Sequence, residues 1–595
     1  MDFDEKIRRR SVGQGTQNTD SRGMERDSEN ILTSAATGAT ALVSATMFAR
    51  LVSFVSNVLV ARSVDRAALG VGTLRLNQML FLGPYSMTTD GLRKVAYRGV
   101  TTHEKQSLVN LCWTTIPFGL AIGMAGAYAL FRSPPEFSNN SDMDTVAGIN
   151  DSYSNAIYLT LVGLLLIFLA EPMYLLASSQ MMQELRAKIE TFGLMGDCFV
   201  KTILIVSFKG WGVSAFGIGL VVYGLFVLLG YLHFFYSQPN IALCSRRIHD
   251  GDHPKDCVSL FPRRLAIEGA LWCTPEIFSA AKLFWFQSIQ KWVLENGENV
   301  AIVFLGTAES AGEYILVANL GSLVARLLLK PIEEMALAAF SKLSRVFPKE
   351  VKNSKDAQKT KELSEALFVA MKYLVLGMTL FGLLLACFAP AYSHLLIFLL
   401  YGSEWSRTSA PMLLGFYCVY VMTMALNGIL EAFVQGVEDS DGIKRYNLWL
   451  LGFSVSFLCF VFLFIRFGPA GLILANILKM ICRILVCVLL YVKPFFVKKN
   501  DHPFRLHMLF PHRYVFGMFA ISVCITQASL WYIYHANMLS LSSFTVRAIL
   551  HVVVGIICIT MTALVIWIHH GKQLKRGLFS TTNERDETVR LKKIK

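Results

Sequence analysis

Residues 283–306 read LFWFQSIQKWVLENGENVAIVFLG, and residues 314–343 read YILVANLGSLVARLLLKPIEEMALAAFSKL. Each is an apolar run long enough to cross a bilayer, and each carries charge inside it. Lys291, Glu295 and Glu298 follow at spacings of four and three; Arg326, Lys330, Glu333 and Glu334 follow at four, three and one. On a helix, these spacings place each set along one side. An ionisable group at the bilayer centre costs roughly 2.5–3.5 kcal/mol on insertion scales, so it persists where it pairs, faces a wet cavity or grips a polar ligand. The stretch therefore predicts a helical hairpin lining a hydrophilic cavity inside a membrane transporter.

The rest of the chain agrees with a membrane reading. It has 595 residues, 54% of them hydrophobic and 16% charged, with a mean hydropathy of +0.48. That is too apolar for an ordinary soluble domain. The formal net charge of +14 is spread over short loops. Such dispersal follows the positive-inside rule and argues against nucleic acid as a partner. The cysteines lie mostly in apolar segments, with no paired framework and no C-x-x-C spacing, so they read as small core residues with no metal role. Residues 1–30 are polar and include Arg8, Arg9 and Arg10; they predict a disordered cytosolic tail and no cleavable signal.

The hydrophobic pattern predicts an all-α polytopic membrane protein of about fourteen spanning helices. They fall near 32–61, 66–97, 107–131, 154–178, 182–207, 211–236, 281–305, 312–344, 364–388, 409–436, 444–466, 469–492, 512–535 and 544–569. The fifth is the weakest, diluted by Glu184, Arg186, Lys188, Glu190, Asp197 and Lys201. The longest connections, 237–280 and 343–363, fall on the basic side. Loops on the opposite side hold little beyond Arg132, Lys209, Arg407 and Arg466, which predicts cytosolic N- and C-termini. The loop 132–153 then faces the lumen and carries candidate glycosylation sites at Asn139 and Asn150. The expected organisation is a tail at 1–30, a six-helix lobe at 31–236 and a cytosolic linker at 237–280. A second six-helix lobe follows at 281–495, two further helices at 496–570 and a basic cytosolic tail at 571–595. A faint echo links Ala68-Leu69-Gly70-Val71, followed by Arg75, with Ala311-Gly312-Glu313-Tyr314, followed by Arg326; alone it does not establish a repeat.

Several further charges fall inside the helices. Arg50 and Arg326 each have an apolar turn or more on both sides; Arg75, Arg93, Lys94, Lys479 and Arg483 complete the basic set. Near helix ends, as for Arg93, Lys94 and Arg483, snorkelling explains the charge as well as function does. A guanidinium binds phosphate oxygens bidentately and stays charged when buried, so several of them in one cavity point to a phosphate-bearing cargo. Glu171, Glu431, Glu295, Glu298, Glu333 and Glu334 supply acids, either as structural partners or as proton- or cation-coupling groups. Pro331 should kink or break its helix beside the charged turn. No nucleotide loop, nucleophile elbow or metalloprotease motif occurs, so neither an enzyme nor a cofactor is expected. The chain ends Lys592-Lys593-Ile594-Lys595, a dilysine placed as in retrieval signals of the endoplasmic reticulum.

Seven segments carry a resemblance: 48–81 (FARLVSFVSNVLVARSVDRAALGVGTLRLNQMLF), 89–99 (TDGLRKVAYRG), 171–182 (EPMYLLASSQMM), 319–334 (NLGSLVARLLLKPIEE), 413–433 (LLGFYCVYVMTMALNGILEAF), 444–457 (KRYNLWLLGFSVSF) and 471–480 (GLILANILKM). Together they resemble the Rft family of endoplasmic-reticulum membrane proteins, a branch of the multidrug/oligosaccharidyl-lipid/polysaccharide exporter superfamily. The resemblance implies two helical lobes around a central cavity, with alternating access. It also implies a role in moving the dolichol-diphosphate heptasaccharide of N-glycosylation from the cytosolic to the lumenal leaflet. It places Arg50, Arg75, Arg93 and Arg326 against the diphosphate with Glu298 as acidic counterpart. Arg62, Lys291, Lys330, Glu333 and Glu334 are expected as a secondary cavity set. Lys330 stands before Pro331 where the family's pattern calls for glutamine. Proteins of the glycan pathway would be partners beside the lipid itself. Two other functions stay open: a non-flippase scaffold or chaperone serving that pathway, and an ion-coupled exporter of amphiphiles.

Overall fold

The structure is a computed structural model that describes residues 48, 50–96, 102–135, 143–180, 182–208, 211–238, 258–265, 272–345, 354–438, 440–499, 510–535 and 546–571. Every regular element among these residues is helical. Helix α1 covers 50–63, and α2 runs through Arg66–Gly70, a π-helical segment Val71–Leu82 and Gly83–Ala96. Then come α3 (Thr102–Arg132), α4 (Met143–Ser179), α5 (Gln183–Ser207), α6 (Ser214–Ser237) and α7 (Pro275–Leu305). Helix α8 comprises Ala308–Val324, a π-helical turn Ala325–Leu329 and Lys330–Arg345; α9 is Ser354–Tyr401, α10 Ala410–Val437 and α11 Ser440–Phe464. Helix α12 comprises Gly468–Val486 with π-helical segments Cys487–Val492 and Phe495–Lys499, and α13 is Arg513–His535. The last helix, α14, is Val546–Gly571.

Nine stretches among the described residues are long and apolar enough to cross a membrane; one of them, Asp441–Val497, contains both α11 and α12. Helices α1, α2, α5 and α7 stand outside this set. This is a multi-pass membrane protein with an all-helical fold.

The prolines explain the irregular turns. The π-helical segments ending at Leu82, Leu329 and Val492 each stop two residues before a proline: Pro84, Pro331 and Pro494. A proline has no N–H to donate and its ring crowds the carbonyl four residues back. Widening the preceding turn relieves both problems. Pro331 therefore does not break α8: the helix continues through it to Arg345 behind a widened turn.

Two compact units divide the chain. Unit 1 takes 1–60, 80–131 and 149–292; unit 2 takes 61–79, 132–148 and 293–595. In unit 1, Phe81, Tyr85, Ile116, Leu164, Phe168 and Leu220 form one apolar cluster. Another joins Val109, Tyr174, Tyr231, Phe235 and Val258. The connection at 258–265 is tied to α3: Gln106 accepts from the Ser259 N–H at 2.8 Å and Asn110 donates to the Arg263 carbonyl at 2.7 Å. In unit 2, α9 packs against α13 and α14 through Leu376, Phe388, Phe519 and Cys558.

Helix α9 ends where Gly402 takes φ 94°, a conformation that favours glycine. Arg62 donates to two of its last carbonyls, Leu400 O from Nε at 2.5 Å and Leu399 O from Nη2. The Trp405 indole N–H donates to the Ala61 carbonyl at 2.7 Å. The two echo segments also meet. A Cβ on Gly70 would stand 2.5 Å from the Ala308 carbonyl oxygen, and one on Gly312 would collide with the Arg66 carbonyl. Only glycine allows this backbone approach.

Candidate functional site

Two groups of charge held between helices stand out among the described residues, one in each unit. In unit 1, Tyr85 and Arg93 lie two turns apart on α2 and so share a face. Both turn toward Glu171 on α4. Arg93 donates from Nε to Glu171 Oε1 at 2.8 Å and from Nη2 to Oε2 at 2.8 Å. The Tyr85 hydroxyl donates to the same Oε2 at 2.7 Å. Glu171 is buried at 1% exposure. The Arg93 guanidinium lies 3.8 Å from the Tyr174 ring centre, and that of Arg186 lies 4.2 Å from it. This is a bidentate ion pair with aromatic faces above it, an arrangement that suits a desolvated guanidinium.

Unit 2 differs. Glu298 on α7 accepts from the Asn476 amide of α12 and is in hydrogen-bonding contact with the Tyr314 hydroxyl of α8. Its described partners are thus uncharged. Nearby on α10, Glu431 pairs with Arg483 of α12 and also accepts from Asn427 at 3.1 Å and Gln435 at 3.2 Å. Glu333 of α8 lies across Gly428, so close that a Cβ there would collide with its carboxylate. Two acids, Glu333 and Glu431, thus neighbour Arg483.

The remaining expected residues fall as follows. Arg75 is buried at 6% exposure and donates to the Ser133 carbonyl at 2.6 Å and the Val303 carbonyl at 3.1 Å. Arg62 caps α9, as described above. Arg66, not singled out from the sequence, pairs with Glu313 at 3.1 Å. Arg50 is half-buried on α1. Lys330 and Glu334 are exposed. Arg326 sits in the π-helical turn of α8, but its side chain, like those of Lys291 and Glu295, lies outside the described residues. So does all of Asn139. Asn150 falls within α4, which begins at Met143 and not near 154; its side chain is also outside the described set.

Sequence reasoning missed Tyr85, Tyr174, Asn476 and Tyr314. Helical spacing could have found two of them: Tyr85 stands eight residues before Arg93, and Asn476 seven before Arg483.

The family model described as "Rft protein" matches residues 34–579. A relative from Dictyostelium discoideum, named Man(5)GlcNAc(2)-PP-dolichol translocation protein RFT1, is 29% identical over 577 residues, covering 92% of this chain and 96% of its own. A relative of the same name from Saccharomyces cerevisiae is 26% identical over 510 residues, covering 77% of this chain and 83% of its own. Among solved structures, the lipid II flippase MurJ in an inward closed conformation aligns with TM-score 0.53 and 12% identity, over 89% of this chain and 99% of that one. At that identity the likeness is one of fold.

Proposed function

The chain belongs to the Rft protein family, and on that premise we propose that it translocates a dolichol-diphosphate-linked Man/GlcNAc heptasaccharide across the endoplasmic-reticulum membrane. The direction is from cytosolic to lumenal leaflet, with both termini in the cytosol. The reading is carried by relatives named for this translocation that align along nearly the whole chain. Charge held inside apolar helices supports it.

The physics of the cargo requires such a protein. A diphosphate is charged and each unpaired hydroxyl entering hydrocarbon costs on the order of 1–3 kcal/mol. The polyisoprenoid tail can stay in lipid while the head crosses through a polar cavity. Arg50 and Arg326 are proposed to hold the diphosphate. Arg75 and Arg93 already serve carbonyl and carboxylate partners, so they would shape the cavity wall. Glu298, whose described partners are neutral, would balance the guanidiniums.

The test is reconstitution of the full chain in vesicles carrying the defined lipid-linked heptasaccharide. Faster crossing than in empty vesicles is expected, with Arg326→Ala slower by about tenfold for one lost charge-assisted contact. No acceleration over empty vesicles would sink the proposal.

One observation favours a second reading, a scaffold that serves the pathway without moving lipid. Arg62, Arg75 and Arg93 are engaged by protein groups, which leaves fewer guanidiniums for a ligand. Depletion that blocks glycan transfer while flipping in isolated membranes stays normal would decide for it.

A further inference from the structure

A cavity of about 480 Å³ lies within unit 2, between α9, α10 and α13. That volume is in the range of small-molecule sites, roughly 300–1,000 Å³. Its origin is in the sequence. Pro390 sits inside α9, Pro411 opens α10, and a Cβ on Gly415 would stand 3.4 Å from Pro390. Three residues without long side chains leave a hollow, which Met412 and Phe416 border. Both are exposed, at 56% and 45%. All three helices belong to stretches apolar enough to cross a membrane.

One wall is polar. Gln527 of α13 is exposed, lines the cavity and makes no hydrogen bond to any described residue. Where lipid covers such a helix, an amide without a partner is costly. It offers both a donor and an acceptor, which is the pattern a hydroxyl answers. The lining holds no Lys, Arg, Asp or Glu, and its other polar residues are Ser393 and His394; with no carboxylate or permanent cation it suits a neutral ligand better than a phosphate or an ammonium.

We propose that this cavity binds a neutral lipid whose polar end is a hydroxyl, with Gln527 taking the hydroxyl and Pro390, Gly415, Met412 and Phe416 holding the hydrocarbon body. A sterol and a polyisoprenoid alcohol share this chemistry. The site is independent of the diphosphate residues proposed above.

The test uses the full chain in phosphatidylcholine vesicles with a photoactivatable sterol probe in one arm and a photoactivatable polyprenol probe in the other. Saturable labelling of α10 and α13 peptides is expected, and the arm that saturates at lower concentration identifies the source. Gln527→Leu should raise the half-saturating concentration roughly fivefold to tenfold, the loss of one hydrogen bond in lipid. Met412→Trp should fill the mouth and abolish saturable labelling. Leu489→Trp, at a position of 54% exposure on α12, should change nothing. Because Gln527, Met412 and Leu489 are all exposed, thermal melting of each variant should match the wild type. Labelling that rises linearly with both probes, or saturable labelling indifferent to Gln527→Leu and Met412→Trp, would overturn the proposal.

Discussion

The Arg93 cluster of unit 1 and the Glu298–Glu431 region of unit 2 use charge in opposite ways. Around Arg93, both carboxylate oxygens of Glu171 are filled, the guanidinium is covered by Tyr174, and the acid is almost wholly buried. That arrangement holds helices together. In unit 2, Glu298 is answered by an amide and a phenol, and Glu333 joins Glu431 beside Arg483. Acid there exceeds the base paired with it in the described structure. A closed pair stabilises a position, whereas an acid held by neutral groups can exchange partners as a cargo or a neighbouring cation arrives.

The largest effect should come from breaking the closed pair. Glu171→Ala leaves Arg93 buried without its partner and should cost about 3–5 kcal/mol of stability, read as early thermal unfolding in detergent. Pairing it with Arg93→Met should recover most of that loss; a double variant as unstable as the single would show that the pair is not the source. Glu431→Ala should cost less, about 1–3 kcal/mol, because the Glu431 and Arg483 side chains are each 19% exposed and solvent screens what remains. Glu298→Gln keeps hydrogen bonding to Asn476 and Tyr314, so its stability should change by less than about 1 kcal/mol while translocation in vesicles falls. Equal losses of both would make Glu298 a structural residue like Glu171. Arg62→Gln removes a cation from the end of α9 and should cost about 0.3–1 kcal/mol. Lys330→Gln, at an exposed site, should leave melting within about 0.5 kcal/mol of wild type.

Helix positions were largely legible because hydrocarbon demands long apolar runs. The expected 211–236, 409–436 and 512–535 lie within a few residues of α6, α10 and α13. The failures have local causes. Helix α9 was expected to stop near 388, yet it passes Pro390 and runs to Tyr401. A proline inside a helix costs one backbone hydrogen bond, that to the carbonyl four residues back, and the helix is kept where its neighbours pack against it. Helix α4 starts early, at Met143, over residues too polar to read as a span. The partners of Arg93 and Glu298 were harder to foresee. Glu171 and Asn476 stand on helices distant in the chain from Arg93 and Glu298, and spacing within one helix says which residues share a face but not which helix that face meets.

The bond between Trp405 and Ala61 joins residues 344 apart in the chain. At ribosomal rates of about 5–20 residues per second, the Ala61 carbonyl waits roughly 17–70 s for its partner to be synthesised. Arg62 waits about as long for the end of α9. During that interval the first helices occupy the membrane with a cation and a carbonyl that only the second half of the chain can satisfy. Until α9 and Trp405 arrive, water or lipid head groups are the partners open to them.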